Sequence, residues 1–311
     1  MNTRLKNPVV YIVGPTASGK TSLSIELAKA FNGEIICGDS MQIYKNMSIA
    51  TAAPTDDEKQ NIKHRMFEFL NPSEGFSVSD YTDLAKKEIE KVKSLGKLPF
   101  VVGGTGLYIS SLAENIDFGK ENGDGSIRKM LEEKAENCGL AVLYDELLKI
   151  DKEFAEKISE NDAKRILRGL EVYYSSGETM SARIKKSKDK GKIYDNIFIF
   201  VTYEDRDKLY ERINRRVDLM VEAGLVEEAK RCINTSAKTA AQAIGHKELK
   251  PYFDGEISLS EALEHLKMQT RRYAKRQITW FSKIDGINVL YMDKSENPVK
   301  DATDIINSNL Y

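Results

Sequence analysis

VVYIVGPTASGKT, residues 9 to 21, decides the fold class. It opens with a short apolar run rich in β-branched residues that ends at Gly14, and from Lys20 onward helical spacing sets in at Leu23, Leu27 and Phe31. Strand, glycine-bearing turn and helix, in that order, are the context that gives G-x-x-x-x-G-K-[ST] its meaning. In that context the backbone N–H groups of the turn and of the helix start converge on a phosphate. GPTASGKT, residues 14 to 21, fills the pattern. Gly14, Thr16, Ala17, Ser18, Gly19, Lys20 and Thr21 are therefore the candidate diphosphate-binding residues. The N–H groups of residues 16 to 20 form the cradle, Lys20 adds a positive charge and Thr21 offers a hydroxyl to Mg²⁺.

Working outward, GEIICGD (33 to 39) and LPFVVGG (98 to 104) read as further buried strands, and NIFIFVTY (196 to 203) and INVLYM (287 to 292) as the last two. Ser79 is the expected N-cap of a helix through YTDLAKKEIEKVKSL, with Gly96 at its end. Strands alternating with helices imply an α/β fold with a parallel sheet covered on both faces, of the P-loop NTPase-like kind. Residues 119 to 192 carry helix-like stretches, a glycine-rich loop at GKENGDGS and no strand pattern. They are expected to form a helical insertion domain within a core domain of residues 1 to 118 plus 193 to 311.

The chain has 311 residues, 41% of them hydrophobic, which is ample for a buried core. No apolar run approaches the roughly 18 residues a membrane span needs, and the N-terminus lacks a signal-peptide pattern, so a cytoplasmic protein with no membrane partner is expected. Cys37, Cys138 and Cys232 lie far apart without CxxC spacing, which supports neither a disulfide framework nor a zinc site. With 47 basic and 48 acidic residues the net charge is −1, unlike a protein that coats nucleic acid without selectivity. The charge is locally uneven, however: RIKKSKDKGK (183 to 192) and TRRYAKRQITWFSK (270 to 283) are strongly basic. Such runs suit a selective polyanion partner or are simply solvated faces. The second lies on a long helix from Ser258 to about Lys283, whose expected inner stripe is Leu259, Leu263, Leu266, Thr270, Tyr273, Gln277 and Trp280. Its acidic start and basic end also complement the helix dipole. No apolar stripe beyond those a core would use is evident, so a monomer is expected.

A phosphate loop by itself suggests ATP binding and a nucleotide hydrolase or kinase, but the strand at 98 to 104 ends in Gly103-Gly104-Thr105, not in an acid. The acid, Asp39, ends the second strand, where a parallel sheet directs it into the crevice beside the phosphate loop. There it is a general base, a water-mediated Mg²⁺ partner or a loop-capping carboxylate. In GGTGLY (103 to 108), glycines allow close approach to a ligand and Thr105 is a candidate donor to phosphate oxygen.

Taken together, GPTASGKT, GDSMQIYK, GFSVSDY, VVGGTGLYI, NDAKRILRGLEVY, AAQAIGHKEL and TRRYAKRQITWF follow one another in an order that resembles the tRNA dimethylallyltransferases, from residue 9 to about 283. The resemblance implies that the loop holds dimethylallyl diphosphate without hydrolysing a nucleotide, and that the acceptor is N6 of the adenosine 3′ of the anticodon. It implies that Asp39 takes the amine proton, that Thr105 bonds the bridging oxygen of the leaving diphosphate, and that Lys20 and Mg²⁺ stabilise the departing charge. The partner it implies is the tRNA anticodon stem-loop, met by Asp39, Ser40, Met41 and Gln42 at the flipped adenine, by Lys164, Arg165 and Arg168, by Gln242, Gly245, His246 and Lys247, and by Lys275, Arg276 and Gln277. Arg212, Arg215 and Arg216 are further candidates for the diphosphate, among which periodicity does not choose. A transferase acting on free adenine nucleotides, a small-molecule kinase and a noncatalytic RNA-binding module are the alternatives.

Overall fold

The structure, a computed structural model, describes residues 5 to 118, 125 to 233 and 239 to 310. The loop GKENGDGS lies outside the described residues except for its last two positions. By the density of internal packing the chain divides into two compact units, one of Met1–Ala113 with Tyr194–Tyr311 and the other of Glu114–Ile193.

The first unit is built on a sheet of strands β1 (Pro8–Val13), β2 (Gly33–Cys37), β3 (His64–Arg65), β4 (Leu98–Gly103), β5 (Asp195–Thr202) and β6 (Asn288–Tyr291). Their order is β3-β2-β4-β1-β5-β6 and all pairings are parallel. The two-residue β3, too short to show any period in the sequence, is the one strand not anticipated.

β1 shows why the sheet is buried on both faces. Val9, Tyr11 and Val13 point to one side, against Tyr81, Ala85, Ile89 and Val92 of the helix Val78–Ser94. Val10 and Ile12 point to the other, against Leu23, Leu27 and Ala28 of the helix Lys20–Ala30 and Ala302 and Ile306 of the helix Pro298–Leu310. The expected cap at Ser79 is corrected to Ser77. The Ser77 side chain accepts from Asp80 N–H at 3.2 Å while Asp80 accepts from Ser77 N–H at 2.9 Å, a reciprocal pair that an Asp three residues on makes possible. The stripe of the long helix, Leu259–Phe281, also shifts. Phe281 is buried, whereas Trp280 is 40% exposed and donates to Ser110 Oγ at 2.9 Å.

β1 hands the chain to the phosphate loop through Gly14, whose φ of 152° no side chain favours. A Cβ there would sit 2.1 Å from the Val201 carbonyl oxygen of β5. Gly14→Ala is expected to cost about 3 kcal/mol, the upper range for overpacking, in a denaturant titration. A wild-type midpoint would contradict this tight strand-to-loop passage.

The second unit is helical among the described residues, with helices Ser126–Cys138, Leu140–Ile150, Lys152–Ala155, Ala163–Ser176 and Met180–Asp189. It has its own core of Leu131, Leu143, Leu147, Ala155, Ile166, Leu167 and Leu170.

Candidate active site

A crevice opens at the carboxyl ends of β1, β2 and β4, lined by Thr16, Lys20 and Thr21, by Asp39 to Gln42, and by Gly103 and Gly104. This is where a parallel sheet collects polar groups from several loops without burying them under a helix. The phosphate loop supplies its floor. The helix Lys20–Ala30 begins after Gly19 with no side-chain cap and no acid in its first turn, so its leading N–H groups are left to a ligand. Lys20 curls back to donate from Nζ to the Pro15 carbonyl at 2.6 Å. Burial, reinforced by the Arg216 guanidinium and opposed by Asp39, pushes the Lys20 ammonium down to about 7.

That depression has a measurable consequence. At pH 8 most Lys20 side chains are neutral before an anion arrives, and a bound diphosphate restores the charge, so binding takes up a proton. Calorimetry in buffers of different ionisation enthalpy is expected to show uptake approaching about one proton per site at pH 8. Affinity then falls up to about tenfold per pH unit above 7, and the Lys20→Arg variant lacks this component. Equal uptake in the wild type and Lys20→Arg would contradict the assignment.

Arg212, Arg215 and Arg216, on the helix Arg206–Glu222, stand differently toward the crevice. Arg216 lines the crevice, and its Nε is buried without a partner among the described residues. Burial lowers its pKa from the usual arginine value, with Asp39 pulling the other way. Arg212 instead donates from Nε to the Ala17 carbonyl at 3.0 Å, bracing the back of the phosphate loop, and Arg215 is exposed. The choice was readable in principle: Leu209 and Ile213 are buried, and Arg216 continues their inward row at i+7 and i+3.

Asp39 follows β2, and its Oδ1 accepts from Met41 N–H at 2.9 Å. Thr105 sits across from it: its Oγ1 accepts from Ser40 N–H at 2.9 Å and donates to Ser40 Oγ at 3.2 Å, while Thr105 N–H donates to the Gly38 carbonyl at 3.2 Å. The β2 and β4 loops are thereby tied into one wall. Gln42 donates both amide hydrogens, to Thr51 and Ala52 carbonyls at 3.0 Å each. Tyr273 also faces this wall, its hydroxyl pKa raised by burial and then by Asp39.

The remaining expected positions divide. Gln242, Gly245, Lys247 and Arg276 line the crevice, and Lys275 is exposed beside Arg276. In the helical unit Lys164 and Arg165 are exposed and Arg168 is half-buried, with Arg165 3.4 Å from Asp162 and Arg168 donating to Glu171 at 3.2 Å. Two of the expected positions are buried. His246, expected at the RNA surface, is only 2% exposed and its Nε2 lies 3.0 Å from Glu228 Oε1. Burial alone would raise the Glu228 pKa, but His246 and the N–H groups of Ala50 and Ile49, each at 2.9 Å, hold it below the usual carboxylate value. This buried pair braces the segment 48 to 51 and leaves no ring face for a base. Gln277, expected both on the inner stripe of its helix and among the RNA-binding residues, is 5% exposed and spans two loops: its Oε1 accepts from Thr16 N–H and its Nε2 donates to the Gly104 carbonyl, both at 2.9 Å.

Among the described residues no cluster of three or more His, Cys, Asp or Glu side chains is disposed to hold a metal. The donor set is instead a threonine hydroxyl on the first helical turn with one carboxylate in the same crevice, which fits Mg²⁺ carried mainly by phosphate and water.

Comparison with known proteins follows the same residues. A family model described as IPP transferase matches residues 42–284. A tRNA dimethylallyltransferase of Acetivibrio thermocellus is 48% identical over 291 residues, covering 93% of this chain and 92% of that protein. One of Bacillus subtilis is 48% identical over 278 residues, 89% of this chain and 88% of that protein. The crystal structure of a full-length tRNA isopentenylpyrophosphate transferase from Bacillus halodurans superposes with a TM-score of 0.73 at 40% identity, covering 98% of this chain and 97% of that one. A eukaryotic dimethylallyltransferase acting on tRNA superposes with a TM-score of 0.80 at 28% identity, covering 97% of this chain and 80% of that one.

Proposed function

The chain belongs to the IPP transferase family of tRNA dimethylallyltransferases, and from that premise we infer that it moves a dimethylallyl group from dimethylallyl diphosphate to N6 of the adenosine 3′ of the anticodon, releasing diphosphate. The observation that carries the reading to the chemistry is the convergence of Lys20, Arg216, Asp39 and the β4 loop before Thr105 on one crevice.

An allylic carbon leaves diphosphate with positive charge growing on carbon and negative charge on the bridging oxygen. Fixed donors at that oxygen lower the barrier. The uncapped helix start, Lys20 and Arg216 bind the diphosphate, and Thr105, held by Ser40 N–H, turns its one hydroxyl proton from Ser40 Oγ to the bridging oxygen. Bound Mg²⁺, held by Thr21 and through water by Asp39, would supply further neutralisation of the phosphate charge. The adenine amine is a poor base that becomes acidic as its C–N bond forms, and Asp39 accepts that proton. The base is read when flipped out of the anticodon stack, against Ser40, Met41 and Gln42. Gln242, Gly245, Lys247, Lys275 and Arg276 in the first unit, and independently Lys164, Arg165 and Arg168 in the helical unit, offer polar and cationic groups to the RNA. We take the work to be cytoplasmic and the working form to be a monomer. Among the described residues no helix is long and apolar enough to cross a membrane.

Incubating the protein with Mg²⁺, labelled dimethylallyl diphosphate and either unmodified tRNA or AMP tests the acceptor. Label is expected in tRNA and not in AMP. Label in AMP alone would contradict the reading.

A further inference from the structure

Gln277 is buried in the crevice wall, on the helix whose neighbouring Lys275 and Arg276 are exposed. Its single carboxamide is divided between two loops that come from different strands. The oxygen takes Thr16 N–H of the phosphate loop, and the nitrogen serves the Gly104 carbonyl, one residue before Thr105. The fit is close: a Cβ on Gly104 would lie 2.1 Å from Gln277 Nε2. One turn earlier, Tyr273 lies beside Thr105 and Gln277, whose side chains oppose the rise that burial imposes on its hydroxyl pKa. The helix Leu259–Phe281 thus grips the two loops that carry the diphosphate donors.

We propose that Gln277 is a positioning residue, not an RNA contact, and that its carboxamide fixes the phosphate loop against the Gly104–Thr105 turn so that both meet one leaving diphosphate. This rests on the diphosphate reading of the crevice. Two consequences follow from the hydrogen bonds. Thr16 N–H is spoken for and drops out of the cradle, leaving the donors from residue 17 onward. The distance from Lys20 to Thr105 is set by a side chain that touches neither substrate, and an error of about 1 Å in such a distance can cost about 100-fold in rate.

The full-length chain is compared with Gln277→Ala, with Gln277→Met, which keeps the volume but removes both hydrogen bonds, and with Gly104→Ala, which displaces the carboxamide by its Cβ. Three quantities are measured: kcat with tRNA and dimethylallyl diphosphate, Kd for inorganic diphosphate without tRNA, and Kd for tRNA. Each variant is expected to lose at least about tenfold in kcat and in diphosphate affinity, with tRNA affinity within about twofold of wild type. Gln277→Met with wild-type kcat and diphosphate affinity would overturn the proposal, as would a loss confined to tRNA affinity. If Gln277→Ala does not fold, Gln277→Met and Gly104→Ala decide. Diphosphate binding by the wild type is read without any prenyl transfer, so a wild type that binds diphosphate but modifies no tRNA would refute the proposed function while leaving the comparison of affinities intact.

Discussion

Replacing Asp39 by alanine is expected to lower turnover by about 10²- to 10⁴-fold while tRNA affinity stays within about twofold. The demand on the carboxylate is unequal along the reaction. In the bound complex the adenine amine holds its protons and asks little of a carboxylate, but as the new C–N bond forms the nitrogen becomes strongly acidic. The benefit of Asp39 therefore falls on the transition state and not on binding. The carboxylate is presented for this by its loop, since only Oδ1 is engaged among the described residues, by Met41 N–H. Asp39→Asn separates the two jobs, because its amide oxygen still accepts from Met41 while it cannot accept the substrate proton. It is expected to match the alanine variant in turnover and the wild type in thermal stability. Undiminished turnover in Asp39→Asn would remove Asp39 as the base.

Lys20→Ala is expected to lower kcat/KM for dimethylallyl diphosphate by about 10²- to 10³-fold, or roughly 3 to 4 kcal/mol of transition-state stabilisation. Lys20 and Arg216 line the same crevice and burial disfavours the charge on each, so both are held at a cost that only an anion relieves. Removing Lys20 takes away the charge that most gains from the departing diphosphate. Arginine is a poor replacement, because the compact ammonium reaches the Pro15 carbonyl at 2.6 Å in a space a planar guanidinium does not match. A loss below tenfold, measured by steady-state kinetics at saturating tRNA, would mean that the backbone cradle and Arg216 carry the leaving group alone.

Much of this is legible in the sequence alone. The parallel sheet followed from five apolar runs alternating with helical spacing, and the ends of β1, β2 and β4 fell where glycine or Asp interrupts the apolar pattern. What escaped is physically distinct. A two-residue strand such as β3 has no period. Ser77 and Ser79 are equally good caps until the reciprocal bond with Asp80 is seen. His246 is a polar residue in a glycine-bearing stretch, where composition argues for solvent, and for Gln277 the inner stripe foretold the burial but not the two partners. Both are buried because specific partners, Glu228 for one and the Thr16 and Gly104 backbone for the other, replace the water they lose. Such partners lie 18 to 261 residues away in the chain, beyond the reach of any local pattern. Arg216 is the opposite case, because its place on the row of Leu209 and Ile213 was open to inspection.

The most direct test of the central claim is mass-spectrometric mapping of an unmodified tRNA after incubation with the protein, Mg²⁺ and dimethylallyl diphosphate. The expected result is a gain of one dimethylallyl unit on the adenosine immediately 3′ of the anticodon, with diphosphate released in equal amount. An unmodified adenosine there, or a gain at any other nucleoside, would contradict it.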